Sequence, residues 1–176
     1  MTDEAFLQSI TDVERELAGF YQAEVADYVG KDILEIGSGW GLFTRFMMMY
    51  APRSKVTTID KIGEPKSFTK NTAGYEDRIT RLTGDSKDYM PAVADESFDT
   101  VMVDGDHGYE GCKSDLMHAF RIVRRGGVVI VDDIWHEKNF EDDYGIMQAV
   151  SELAMSKGLK VTVHPEGHGV ALIFKD

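Results

Sequence analysis

The stretch Ile33-Leu34-Glu35-Ile36-Gly37-Ser38-Gly39-Trp40-Gly41 decides the fold. Asp32 to Ile36 reads as a short strand, and glycine at every second position from 37 to 41 ends it in a tight turn. Leu42 to Tyr50 follows. It carries Phe43, Phe46 and three methionines at 47–49 and is apolar nearly all round. That composition predicts a buried helix, with the methionines as core filling, stopped by Pro52. A strand, a glycine turn and a helix together make a binding turn of the nucleotide type. Glycines admit positive φ and let a ligand approach the backbone. The helix behind them offers free N–H groups and the positive end of its dipole.

Outward from this unit the same alternation repeats. Before it, residues 5–28 place Phe6, Ile10, Val13, Leu17, Tyr21, Val25 and Tyr28 at helical intervals, with Gly19 as a candidate break. After it come a strand at 55–59, a helix at 65–73, a strand at 78–82, a helical turn at 86–90 and a strand at 98–103. A helix at 109–122 leads to a turn at Arg124-Arg125-Gly126-Gly127, then a strand at 128–131. A helix at 146–155, with Gly158 at its left-handed cap, leads to strands at 160–163 and 170–174. The acidic run Glu141-Asp142-Asp143 reads as a solvated helix start. Alternating strands and helices predict an α/β fold, a mostly parallel sheet with helices on both faces, and the closing hairpin adds an antiparallel strand. One domain over 1–176 is expected, with 1–29 as an N-terminal helical cover and 30–176 as the core.

The totals narrow the function classes. The chain has 176 residues, 31 acidic against 19 basic, for a net charge of −12. Such a surface repels phosphate backbones, so nucleic acid and anionic membranes are poor partners and a small molecule is the better one. The single cysteine, Cys112, excludes an intrachain disulfide and a cysteine-rich zinc site, and reads as a half-buried thiol. No apolar run approaches the roughly 18 residues of a membrane span. The acidic start Met-Thr-Asp-Glu-Ala-Phe lacks the pattern of a secretion signal. A cytoplasmic location is the expectation.

Two details qualify the glycine turn. Dinucleotide enzymes use G-x-G-x-x-G, and Leu42 stands where the third glycine of that pattern belongs. Glu35 lies two residues before the first glycine, which suits a ligand without pyrophosphate. Asp60, about 20 residues on at the next strand's end, can accept from ribose hydroxyls. The segment 33–41 resembles motif I of the class I methyltransferases that use S-adenosylmethionine (SAM), and the resemblance extends over roughly residues 30–175. It implies a Rossmann-like three-layer sandwich whose seven strands run 3-2-1-4-5-7-6, strand 7 antiparallel. It implies SAM contacts from Glu35, Gly37, Ser38, Gly39, Gly41 and Asp104. Asp60 would hold the ribose, and Asp85 with Ser86 the adenine.

Asp104 ends the fourth strand, and Asp132 and Asp133 end the fifth. If those strands are neighbours they lie about 4.8 Å apart, and three carboxylates converge in one crevice. A hard cation, Mg²⁺ or Ca²⁺, would relieve their repulsion; alternatively, Asp132-Asp133 only caps a turn. The segments Phe98–His107 and Val129–Asp133 resemble those of Mg²⁺-dependent O-methyltransferases, nearest to those acting on macrolide and aminocoumarin sugars, with catechol O-methyltransferase more distant. That resemblance implies metal ligands at Asp104, Asp132 and Asp133 and a general base at His107 or Asp106, acting on a small hydroxylated acceptor. A near-neutral imidazole favours His107. His136, beside Trp135, is a third candidate, more readily read as pocket wall. His118 reads as helix surface, and His164 and His168 fall in the hairpin. The short N-terminal region leaves the acceptor site open, covered by the first helix and by 134–144, or completed by a second subunit of a homo-oligomer. The competing reading is a metal-independent class I methyltransferase acting on nitrogen or on a macromolecule. A nicotinamide-binding protein, or a SAM-binding partner without activity, would share the turn.

Overall fold

The structure, a computed structural model, describes residues 1–141 and 144–176. Asp142 and Asp143, in the expected helix start at 141–143, lie outside the described residues. The strands are β1 (Asp32–Ile36), β2 (Lys55–Asp60), β3 (Ile79–Thr83), β4 (Phe98–Val103), β5 (Val123–Val131), β6 (Val161–His164) and β7 (Val170–Phe174). They form one sheet in the order β3-β2-β1-β4-β5-β7-β6. β7 is antiparallel to both its neighbours, and the other pairings are parallel. This is the Rossmann-like order expected.

The helices are α1 (Asp3–Ser9), α2 (Asp12–Phe20), α3 (Leu42–Tyr50), α4 (Lys66–Asn71), α5 (Ser86–Tyr89), α6 (Tyr109–Ile122) and α7 (Ile146–Lys157). Side chains alternate across the sheet, as strand geometry demands. Leu34, Val101, Val103, Val129 and Val131 pack with Cys112 and Leu116 of α6 and Val150 of α7. Ile33, Met102, Val128 and Ile130 pack on the other face with Phe6, Phe20, Tyr21, Phe43 and Phe46. Cys112 is therefore buried rather than half-buried, and burial pushes its thiol up to about 12.

Two expectations are corrected. The N-terminal helix breaks at Ile10-Thr11, not at Gly19, because Thr11 and Glu14 form a reciprocal capping box that starts α2. Gly19 lies inside α2, facing open space. Beyond α2 the chain winds one π-helical turn, Tyr21–Val25. Residues 124–127 are not a turn either. They belong to β5, whose pairing with β4 shifts register between Phe98 and Thr100. Gly126 takes φ +76° there, and Arg124 is tied to Asp99 at 2.6 Å, which holds the irregular strand in the sheet.

The apolar helix α3 contains one buried cation. Arg45 donates to the carbonyls of Asn71, Ala73 and Met1 and pairs with Asp3 at 2.6 Å. Its guanidinium lies 5.0 Å from the Phe6 ring and 4.8 Å from the Tyr75 ring. This pairing fastens α1 to the sheet layer.

Candidate active site

The three glycines after β1 have φ of +83° (Gly37), +43° (Gly39) and +78° (Gly41). Their environments differ. A Cβ on Gly37 would lie 1.9 Å from the Asp104 carbonyl oxygen, because the turn crosses directly over the end of β4. Gly41 caps α3 against the Phe68 ring, 2.8 Å from where its Cβ would be. Gly39 faces open space, and its N–H donates to Asp60 Oδ2 at 2.7 Å. The other Asp60 oxygen accepts from the Ile62 N–H at 2.7 Å. Asp60 thus sets the shape of the loops on either side of the crevice and lines the space between them.

A cleft of about 620 Å³ opens from this turn, within the usual range for a small-molecule site. Of the residues expected to hold a donor, Glu35, Gly37, Ser38, Gly39, Asp60, Asp85, Ser86 and Asp104 line it, as do Asp106 and His107. Gly41 lies behind it as the cap of α3. Asp85 caps α5 through the Lys87 N–H at 3.0 Å and pairs with Lys61 at 3.2 Å. Ser86 donates to Asp115 Oδ1 at 2.6 Å. Asp115 also lines the cleft, and its other oxygen is buried without a partner among the described residues. Sequence reasoning missed Asp115. Its signal was an acid beside Cys112, Leu116 and Ala119 on the buried stripe of α6. Arg81 was missed as well: it donates to the Ser38 hydroxyl and to the Ile62 carbonyl at 2.9 Å, lying over the Phe68 ring at 4.4 Å.

Glu35 is fully buried beneath the turn and accepts from the Thr44 hydroxyl. Burial pushes its carboxyl up to about 8, against the opposing pull of the Thr44 bond, and the nearby Asp104 charge adds to the rise. The folded chain therefore retains a proton that the unfolded chain gives up near 4.5. This contribution to stability is complete at low pH and is lost as pH rises towards 8. Glu35→Gln should flatten that loss, gaining roughly 3–5 kcal/mol on the parent between pH 5 and 9 by the usual conversion of pKa shifts. Denaturant melts across that range measure it; parallel pH profiles for the two proteins would refute the assignment.

At the other end of the cleft, Asp104, His107 and Asp133 bring one ligand atom each within 4.8 Å of one another. His107 Nε2 is 3.4 Å from Asp104 Oδ1 and 3.6 Å from Asp133 Oδ2. Asp133 adopts φ +60°. That left-handed backbone is held by two bonds to its carbonyl, from the His136 N–H at 3.1 Å and from Asn139 Nδ2 at 2.8 Å. Asp132 lies outside the three-residue group, and its Oδ1 accepts from the Asp133 N–H at 2.9 Å. Burial, then the charges of Asp104 and Asp133, push Asp132 up to about 8. Burial also raises Asp104, which the bond to His107 opposes. The same bond raises His107 against its own burial.

The other candidate bases separate by position. Asp106 accepts from the Gly108 N–H at 2.9 Å and packs against Gly111, so its carboxylate serves the start of α6. The rings of His107 and Tyr144 (4.6 Å between centres), Tyr144 and His136 (4.9 Å), and His136 and His168 (4.5 Å) meet in tilted contacts. His168 of the terminal hairpin is thus linked to His107 through His136 and Tyr144. His164 packs instead on Phe20 at 4.8 Å, and His118 is half-buried on α6 beside Arg121.

Residues 34–134 match a family described as a methyltransferase domain. The catechol O-methyltransferase of Mycobacterium tuberculosis is 32% identical over 122 residues, covering 67% of this chain and 51% of that protein. The chain spans about half the length of the curated relatives it matches. Among solved structures, an O-methyltransferase from Bacillus cereus in complex with SAH superposes with a TM-score of 0.75 at 19% identity, over 99% of this chain and 93% of that one. The MycE methyltransferase of the mycinamycin biosynthetic pathway, in complex with Mg, SAH and mycinamycin VI, gives 0.65 at 21% identity, over 89% and 48%. These two structural likenesses carry the fold.

Proposed function

Since this chain belongs to the methyltransferase domain family, we propose that it transfers the methyl group of SAM to a hydroxyl oxygen of a small molecule, a sugar or other natural product, with the help of Mg²⁺. In this reading residues 30–176 are the catalytic core and 1–29 its helical cover. The observation that carries it is the meeting of Asp104, His107 and Asp133 at the far end of the cleft that begins at the glycine turn. Two of the similar proteins support this reading: a catechol O-methyltransferase, and a methyltransferase in complex with Mg, SAH and mycinamycin VI.

The residues present fit both groups. The unpartnered Asp115 oxygen, beside Ser86 and Asp85, suits an amino-bearing ring, and the Gly39 turn leaves space against bare backbone. Oxygen donors from Asp104 and Asp133, with Asp132 beside them, suit a hard cation. Such an ion, when bound, supplies a lowered hydroxyl pKa on the acceptor. The chain's own part is positional. The glycine turn and Asp60 hold the donor, and Asp104 bridges the two ends of the cleft. His107, whose Nε2 lies between the Asp104 and Asp133 carboxylates, takes the hydroxyl proton there. It is better placed than Asp106, whose carboxylate is committed to the Gly108 N–H. The gain comes from holding oxygen and methyl at attack distance.

One observation favours a second reading. His107 Nε2 lies between Asp104 and Asp133, and the bond to Asp104 favours its protonated form, whose charge would offset theirs. A metal-independent enzyme acting on nitrogen or on a macromolecule would use it so. The donor half of the proposal is tested by calorimetry: SAH should bind at one site per chain and NADH should not, and the reverse result would overturn it.

A further inference from the structure

The face of the sheet covered by the N-terminal segment carries a row of acids at its upper edge. Ile33, Met102 and Ile130, on the adjacent strands β1, β4 and β5, pack on that face with Tyr21. Two residues further along lie Glu35 near the end of β1 and Asp104 and Asp132 just past the ends of β4 and β5; the Asp104 N–H to Ile36 and Asp132 N–H to Val103 carbonyl bonds carry the sheet pairing on to them, so alternation returns all three to the same side. The cover over this row is the π-helical turn that begins at Tyr21, a geometry found often at functional sites.

Tyr21 is 1% exposed, with its ring against Phe43 at 5.4 Å and Phe46 at 5.9 Å. Phe43 in turn lines the cleft. The Tyr21 hydroxyl has no hydrogen-bond partner among the described residues. Packing alone does not account for it, since phenylalanine would fill the same space without a stranded polar group. A phenol hydroxyl is a donor at neutral pH. Of the three acids, Glu35 accepts from the Thr44 hydroxyl and Asp104 faces His107, while among the described residues no side chain donates to Asp132, whose Oδ1 accepts only from the Asp133 N–H.

We propose that Tyr21 is a positioning residue whose hydroxyl donates to the Asp132 carboxylate when the site holds its divalent cation, fixing that acid from below the sheet edge. This rests on the metal-dependent reading above. Partners of this outer kind typically change metal affinity 10- to 100-fold when removed.

The test is titration of the parent and Tyr21→Phe with Mg²⁺ and with Mn²⁺ alone, by calorimetry and by Mn²⁺ magnetic resonance, with thermal melts of the cation-free proteins. Tyr21→Phe should bind either ion about tenfold more weakly. Its cation-free form should melt at the parent's temperature or about 2–4 °C above it, because a stranded hydroxyl is gone. In an Asp132→Asn background the same substitution should cost no further affinity. Equal cation affinity in parent and Tyr21→Phe, or a lower melting temperature for cation-free Tyr21→Phe, would overturn the role of Tyr21 and leave the metal reading standing. A parent that binds neither ion would overturn both.

Discussion

Gly37→Ala should destabilise the chain by roughly 2–5 kcal/mol and abolish SAH binding. Two effects add here. The residue holds φ +83°, a left-handed conformation costing an L-residue about 1–2 kcal/mol. The added Cβ would lie 1.9 Å from the Asp104 carbonyl oxygen and 2.7 Å from the Gly105 Cα. Both are backbone atoms, held by the Asp104 N–H to Ile36 carbonyl bond at 2.9 Å, so no side chain can swing aside and the strand end itself must shift. Gly39→Ala is the internal control. Gly39 is also left-handed, but its Cβ position is open, so it should lose only about 1–2 kcal/mol. Chemical denaturation of both variants reads the difference directly. A Gly37→Ala protein as stable as Gly39→Ala would show that the turn does not cross β4 as described.

Asp104→Asn should reduce methyl transfer at least about 100-fold, the scale at which lost electrostatic or metal assistance is usually felt, without unfolding the protein. Asp104 lies where the two halves of the site meet: it lines the donor cleft and belongs to the group with His107 and Asp133. Burial and the Asp133 charge work against its ionised form. A neutral amide of the same shape therefore removes repulsion, and the melting temperature should hold or rise while activity falls. Steady-state kinetics beside a melt separate the two. Activity within about threefold of the parent would take Asp104 out of the chemistry.

Much of this was legible in the residues. The order of strands and helices follows from apolar runs broken by glycine, and the turn at 37–41 sits where its spacing put it. Legibility failed where distant residues decide local structure. Residues 124–127 look like a turn because Gly126-Gly127 is a strong local breaker. The chain instead stays in the sheet through Asp99 and the bonds between Gly126-Gly127 and Lys175. The break at Thr11 is written in the Thr-x-x-Glu capping box, which outweighs the single helix-weakening residue Gly19. In the site, the acids at 104 and 133 come together as their strand ends implied. His107 enters that group as a neighbour of both acids, which spacing along the chain could not reveal. Asp115, Arg81 and the chain of ring contacts from His107 to His168 depend on contacts between elements far apart in sequence, and Tyr21 looks in the sequence like any apolar position of a helix.

The most direct measurement is transfer of a labelled methyl group from SAM to a panel of vicinal diols, catechols and sugars, after EDTA treatment and after Mg²⁺ is restored. Product carrying the label on oxygen, lost with EDTA and recovered with Mg²⁺, is the expected result. Transfer that is indifferent to EDTA, or label found only on nitrogen or on a macromolecule, would contradict it.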